Sequence, residues 1–283
     1  MKPVFNHSLI SSFALYLDNQ LLDGGLAYVN HSGSLYPQLT SSVSGNVWAA
    51  PYKEWVADSC ISGANVCSGA YTSSGQFLTR QSGVVVDFIN GRVISPNKWG
   101  NLTASYARKE YNIYTSTEDE INWWMENVYA ENKNITYTAT GMMDGRFAAP
   151  CIVLTNSSEN NEPWALGGLE DTKQTIRGYI ISSTRSPFAQ EGVNSLCRDL
   201  AHGSFSLISY ADVPYTSSGD LKGATTGASY CYSDLCARYG SAGVYIENVH
   251  EVRVSQRANK SSSFSVAVSE FDLSTIRTPR TSK

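Results

Sequence analysis

The sequence predicts an α+β fold in two parts. Residues 1–115 read as a β-rich N-terminal domain, and residues 116–283 as a mainly antiparallel sheet carrying one or two packed helices. Three observations predict this. Alternating apolar and polar runs recur along the chain. GVVVDFINGRVIS carries a hairpin signal, two apolar runs flanking Asn90-Gly91. In the second half, helix-start signals sit between strong strand signals, the pattern of helices laid on one face of a sheet.

In chain order, FALYLDNQLL alternates and predicts a strand, followed by a turn at Asp23-Gly24-Gly25 and a strand over LAYVN. From about His31 to Gly83 the chain is rich in Ser, Gly and Pro around Trp48 and Trp55, which predicts loops with short strands. The Asn90-Gly91 pair predicts a two-residue type I′ turn with both residues at positive φ. LTASYARKEYNIYTS reads as a half-buried strand and closes the first domain.

Thr117-Glu118-Asp119-Glu120 has the form of a capping box, which predicts a helix over INWWMENVYAEN with Trp123, Trp124 and Val128 on its apolar face. ITYTAT, CIVLTN and KQTIRGYIISS then read as strands. Ser186 and Pro187 form a helix start, with Phe188, Leu196, Cys197 and Leu200 as its stripe and Gly203 as its stop. SFSLISY is a strand, and a polar loop spans 211–229. GVYIENVHEVRVSQ and SFSVAVSEFDL form a long antiparallel hairpin. In its first strand, Val249 breaks the even-numbered rhythm, which predicts a bulge near Asn248 to His250. On the return strand, Phe271 and Leu273 fall on the opposite parity from Phe264, Val266 and Val268. This predicts that FDLSTIRTPR leaves the core and offers Arg277, Pro279 and Arg280 to a neighbouring subunit.

Composition narrows the function classes. Charged residues make up 16% of the chain, against roughly 25% in typical soluble domains, while Tyr numbers 17 and Trp 6. Few charges and many amphipathic rings suit a surface covered by neighbours. Net charge is −4, and no basic run marks a nucleic-acid face. No apolar stretch approaches the length of a membrane span. The N-terminus has no continuous apolar core, so no signal peptide is read. On that reading the six Asn-X-Ser/Thr sequons arise from a Ser/Thr/Asn-rich composition, and the six cysteines are expected as free thiols. Cys60/Cys67 and Cys231/Cys236 have the wrong spacing for a zinc site, so no metal is expected.

No phosphate loop, dinucleotide fingerprint, zinc-protease motif or nucleophile elbow is present. His7, His31, His202 and His250 are scattered, and Glu118 to Glu120 serve the helix start. Arg177 and Arg253 are expected to pair with acids across the sheet. No enzyme activity and no cofactor are expected.

FALYLDNQLLDGGLAYVNHSGSLYP, VDFINGRV with LTASYARKEYNIY, TIRGYIISSTRSPF with SLCRDL, and the closing VSEFDLSTIRTPR together resemble virion structural proteins of tailed bacteriophages, of the neck and tail-completion kind. The second half is similar to the tail-terminator fold. The resemblance implies a ring, commonly a hexamer, at the head–tail junction. Its partners would be copies of itself and neighbouring connector, tube or sheath proteins, and DNA would pass without sequence-specific binding. It implies a place in the virion, reached from the host cytoplasm during assembly. A neutral to acidic surface fits a passage for DNA, since phosphate binding is driven by Lys and Arg. An extracellular or tail-fibre-type binding β-protein is the alternative, and a glycan-degrading enzyme a further one.

Overall fold

The computed structural model describes residues 5–25, 27–38, 45–116, 129–131, 147–164, 168–183, 187–215, 228–252 and 264–277. Its architecture is α+β with mainly antiparallel sheets.

The first element corrects the sequence reading. Phe5–Asp23, expected to contain a strand, is helix α1. Leu9, Phe13 and Leu17 recur every four residues and enter the largest core cluster with Ile10 and Leu21. Leu15 points elsewhere and packs with Ile208 and Val213. Apolar residues thus lie on several sides, which hides the helical period and lets Phe13, Leu15 and Leu17 imitate a strand. A segment buried this way must satisfy its backbone internally, which a helix does. The turn at Asp23-Gly24-Gly25 follows as expected, with Gly25 at φ 69.

Seven strands form the first sheet: β1 (Tyr28–Gln38), β2 (Asn46–Ala49), β3 (Gly69–Thr72), β4 (Phe77–Thr79), β5 (Val85–Asp87), β6 (Arg92–Ser95) and β7 (Leu102–Lys109). Their spatial order is β4-β3-β7-β1-β2-β6-β5, with every pair antiparallel. Leu35, Trp48, Val93, Leu102 and Ala104 line its core with Trp55 and Phe88.

The β5–β6 hairpin exists, but its turn is not the expected one. Asp87 pairs with Arg92, so four residues connect the strands, and Gly91 has φ 62 while Asn90 does not have positive φ. The longer loop lets Phe88 turn into the core. The Asp87 carboxylate holds it by accepting from the Asn90 backbone and from Arg92.

The expected strand over LTASYARKEYNIYTS is two strands. Its first part is β7, and its last is β8 (Asn112–Thr115), which joins the second sheet. Thr117 to Glu120, Trp123, Trp124, Val128 and ITYTAT lie outside the described residues. Tyr129–Glu131, expected at the end of a helix, is instead strand β9, pairing in parallel with β10 (Phe147–Ala149).

The second sheet has six strands in the order β13-β14-β15-β12-β11-β8. Here β11 is Cys151–Pro163, β12 Glu170–Ser183, β13 Ser204–Ile208, β14 Gly240–Val252 and β15 Phe264–Arg277. All pairs are antiparallel except β8 with β11. Helix α2 (Pro187–Asp199) begins at Pro187 as expected and buries Val193 and Cys197 on the same sheet face as α1. The chain leaves α2 through His202 at φ 65, so His202 and not Gly203 takes the left-handed turn. A third helix, α3 (Tyr232–Tyr239), packs its partly buried Leu235 and Cys236 against Ile208 of β13.

The long terminal hairpin forms as expected, with its register shift between Ile246 and Asn248. The end of β15 corrects the expectation that it leaves the core. Its pairing with β12 runs unbroken from Phe264 to Arg277. Even-numbered Val266 and Val268 pack with Tyr179 and Ile181 on one face, while Phe271 and Leu273 pack beneath the helices on the other. The change of parity records which face is covered at each end of a straight strand. No helix among the described residues is long and apolar enough to cross a membrane.

A buried polar junction as the candidate functional site

The two sheets meet around α1, and charge is buried there. Asp18, buried in the last third of α1, accepts from Lys109 of β7 through both carboxylate oxygens at 2.8 Å each. The side chains are 7% and 10% exposed, so this is an interior pair. Burial works against the Lys109 ammonium, but Asp18, Tyr215 and Glu54 outweigh it and raise the pKa. Lys109 also lies 5.9 Å from the centre of the Tyr215 ring.

Glu54 stands beside this pair with φ 56, a left-handed conformation that a non-glycine residue holds only when its surroundings impose it. Its backbone is fixed from two directions: the N–H donates to Ile89 and the C=O accepts from Lys109. Its carboxyl group is enclosed and accepts from the Tyr114 hydroxyl at 3.0 Å. Burial pushes the carboxyl up to about 7, against the opposing pull of Lys109. Glu54 is therefore a proton-exchanging group near neutrality. Its neighbours are other protein groups, which makes the cluster a joint between elements.

The joint continues through Tyr215, whose hydroxyl lies 3.3 Å from that of Tyr230. Burial raises the pKa of both phenols. Beyond them Asp58 is buried and held at both oxygens: Oδ1 accepts from the Cys60 and Tyr232 backbones, and Oδ2 accepts from Asn19 of α1. Ser59 donates to Tyr230 at 2.6 Å, and Tyr230 donates to Ala57 at 3.0 Å. These bonds bring two remote segments together, and Cys60 forms a disulfide with Cys231. The expectation of six free thiols is corrected: Cys67, Cys151, Cys197 and Cys236 are free. A separation of 171 residues hid the pairing from any reading of local spacing.

A second candidate lies on the surface. Past Leu154, β11 has β12 on one side and no strand on the other among the described residues. Residues 156–164 of this edge are all exposed, and Trp164 at its end is 56% exposed, with Leu169 opposite it at 38%.

No protein-family model matches the chain, and no curated protein is significantly similar to it.

Of the residues expected at a subunit interface, Arg277 ends β15 and is engaged by its own chain. It donates to Thr172 at 2.6 Å and to Asn161 at 2.9 Å, and its guanidinium lies 4.4 Å from the centre of the Phe5 ring. Pro279 and Arg280 lie outside the described residues. Arg177 pairs with Glu270 across the sheet as expected, and Arg253 lies outside the described residues. The histidines remain dispersed: His31 stacks between Tyr52 and Tyr106, His250 pairs with Asp272, and His7 packs on Tyr210.

Asp18, Glu54 and Lys109 were not singled out from the sequence. The available signal was an acid inside an apolar run and a lysine at the end of a buried strand, two opposite charges with no local partner.

Proposed function

We propose that the chain is a structural subunit of a tailed-bacteriophage virion neck, assembling as a ring at the head–tail junction in the manner of a tail terminator or connector. The observation that carries this reading is the outer stretch of β11. A long exposed edge strand ending in an exposed Trp and facing an exposed Leu is a surface that gains by contact with another subunit. Copies in a ring need two different faces that meet head to tail, and an edge strand supplies one of them. The rest of the fold supports the same role. The six-stranded sheet is a layer backed by α1 and α2, and the junction at Asp18, Glu54 and Lys109 ties it to the first sheet. Light scattering with negative-stain imaging of the purified chain tests the reading: closed rings support it, and a single-chain mass at every concentration overturns it.

A second reading is favoured by one observation. The Cys60–Cys231 disulfide suits an oxidising exterior. In that reading the chain is an extracellular or tail-fibre-type binding β-protein, presenting the exposed rings of Tyr71 and Phe77 on the first sheet. Binding to immobilised glycans without ring formation would favour it over the neck.

A further inference from the structure

We propose that Asp58, Cys60 and Cys231 form a redox-gated site for a thiophilic divalent cation, zinc by the chemistry of its donors. The carboxylate oxygen and the two sulfurs lie within 4.8 Å of one another. Two thiolates and one carboxylate are ligands that zinc accepts, and a water completes a tetrahedral set.

The site does not depend on the disulfide for its assembly. Ser59 donates to Tyr230 through both its backbone N–H and its hydroxyl, and Tyr230 returns a bond to Ala57. The two cysteine-bearing segments therefore stay side by side when the sulfurs part. Around a tetrahedral zinc the sulfurs sit roughly 3.7 Å apart, a separation that side-chain rotation provides. Asp58 is already oriented by the Cys60 and Tyr232 backbones and by Asn19, the outer support that a metal-binding carboxylate requires. Cys231 occupies the position just before the first turn of α3, without a side-chain capping bond, and has the Ser233 hydroxyl at 3.1 Å; the nearby helix end and the hydroxyl both favour its thiolate. Cys60 is exposed and Cys231 partly so, which gives a reductant access.

The chemistry balances with a dithiol reductant. The dithiol gives two electrons and two protons to the Cys60–Cys231 bond and itself becomes a disulfide. The S–S bond breaks and two thiols form. The cation then forms two metal–sulfur bonds and releases the two thiol protons to solvent. A small-molecule disulfide reverses the sequence: it accepts two electrons from the two thiolates and, with two protons from solvent, becomes two thiols, while the Cys60–Cys231 bond re-forms and the cation is released. The same two segments are thus joined by a covalent bond in one redox state and by a metal in the other.

Cobalt(II), titrated into the full chain after reduction with a phosphine, reads the site directly. The expected result is one cobalt per chain, with thiolate charge-transfer absorption and tetrahedral d–d bands, displaced by zinc. Oxidised protein shows none. Cys60→Ser and Cys231→Ser each lose the charge-transfer band, Cys236→Ser keeps it, and Asn19→Ala weakens binding by roughly tenfold. A native-sequence control avoids any folding defect: zinc added after reduction protects Cys60 and Cys231 from alkylation, as mapped by mass spectrometry. Absence of the band, its survival in Cys60→Ser, or unprotected Cys60 and Cys231 would overturn the proposal.

Discussion

Lys109 and Asp18 form a two-point ion pair, the ammonium nitrogen 2.8 Å from each carboxylate oxygen, across 91 residues of sequence. The pair joins the last residue of β7 to the last third of α1, so it couples the first sheet to the helix that backs the second. Removing one partner takes from the other the charge that balances it in the buried pair. Asp18→Asn or Lys109→Met is expected to cost about 3–5 kcal/mol of stability, while the double variant Asp18→Leu with Lys109→Met costs less than either single change. Urea denaturation measures all three. Single variants as stable as the parent chain would show that the pair is not buried as described.

Glu54 gives the junction a pH dependence of definite sign. Its carboxyl is raised from 4.5 to about 7 in the folded protein, so between those values the folded state holds a proton that the unfolded state has lost. Stability from this group is therefore full below about pH 4.5, falls as pH rises towards 7 and levels off above it. The total change is on the order of 3 kcal/mol. Glu54→Gln retains an acceptor for the Tyr114 hydroxyl and should flatten this part of the profile. A Gln variant whose denaturation midpoint falls with pH as steeply as before would assign the dependence to another group.

Gly91 is constrained twice. Its φ is 62, and a Cβ there would lie 2.1 Å from the Tyr52 carbonyl oxygen. Gly91→Val is expected to cost roughly 2–4 kcal/mol through strain and displacement of the neighbouring loop. Thermal unfolding checks it, with Gly100→Ala as a control, since a Cβ at Gly100 meets nothing within 4 Å. Equal losses in both variants would mean that the packing against Tyr52 is not made.

The disulfide predicts a thiol count. Denaturation without reductant should expose four reactive thiols, and six after reduction. Chain-entropy reasoning for so long a loop gives a stabilisation on the order of 5 kcal/mol from the covalent link. Six thiols without reductant would contradict the pairing.

What was legible in the sequence was the pattern of long strands. β12, β14 and β15 were read from apolar–polar alternation and β11 only from its apolar first half, CIVLTN; its exposed second half, rich in Asn, Ser and Glu, carries no strand signal, while the terminal hairpin and its bulge followed from parity to within about a residue. Helix α1 was not legible, because two separate clusters bury its different sides and erase the one-sided stripe that marks a surface helix. The end of β15 misled for a related reason: Val266 and Val268 pack on one face of the sheet and Phe271 and Leu273 on the other, so the apolar parity changes while the pairing with β12 runs on unbroken. The junction was illegible because its members come from positions 18, 54, 58, 109, 215 and 230 and meet only through tertiary packing. Local spacing carries no record of such a meeting, nor of the Cys60–Cys231 pair.

The proposed ring would assemble through the exposed edge of β11 and its neighbouring Trp164 and Leu169. Light scattering of the wild type beside a Trp164→Ser, Leu169→Ser double variant tests it most directly. Both side chains are exposed, so the variant should fold with unchanged stability. The expected result is a closed multi-copy ring for the wild type and a single-chain mass for the variant. A wild type that remains a single chain at every concentration, or a variant that assembles as well as the wild type, would contradict it.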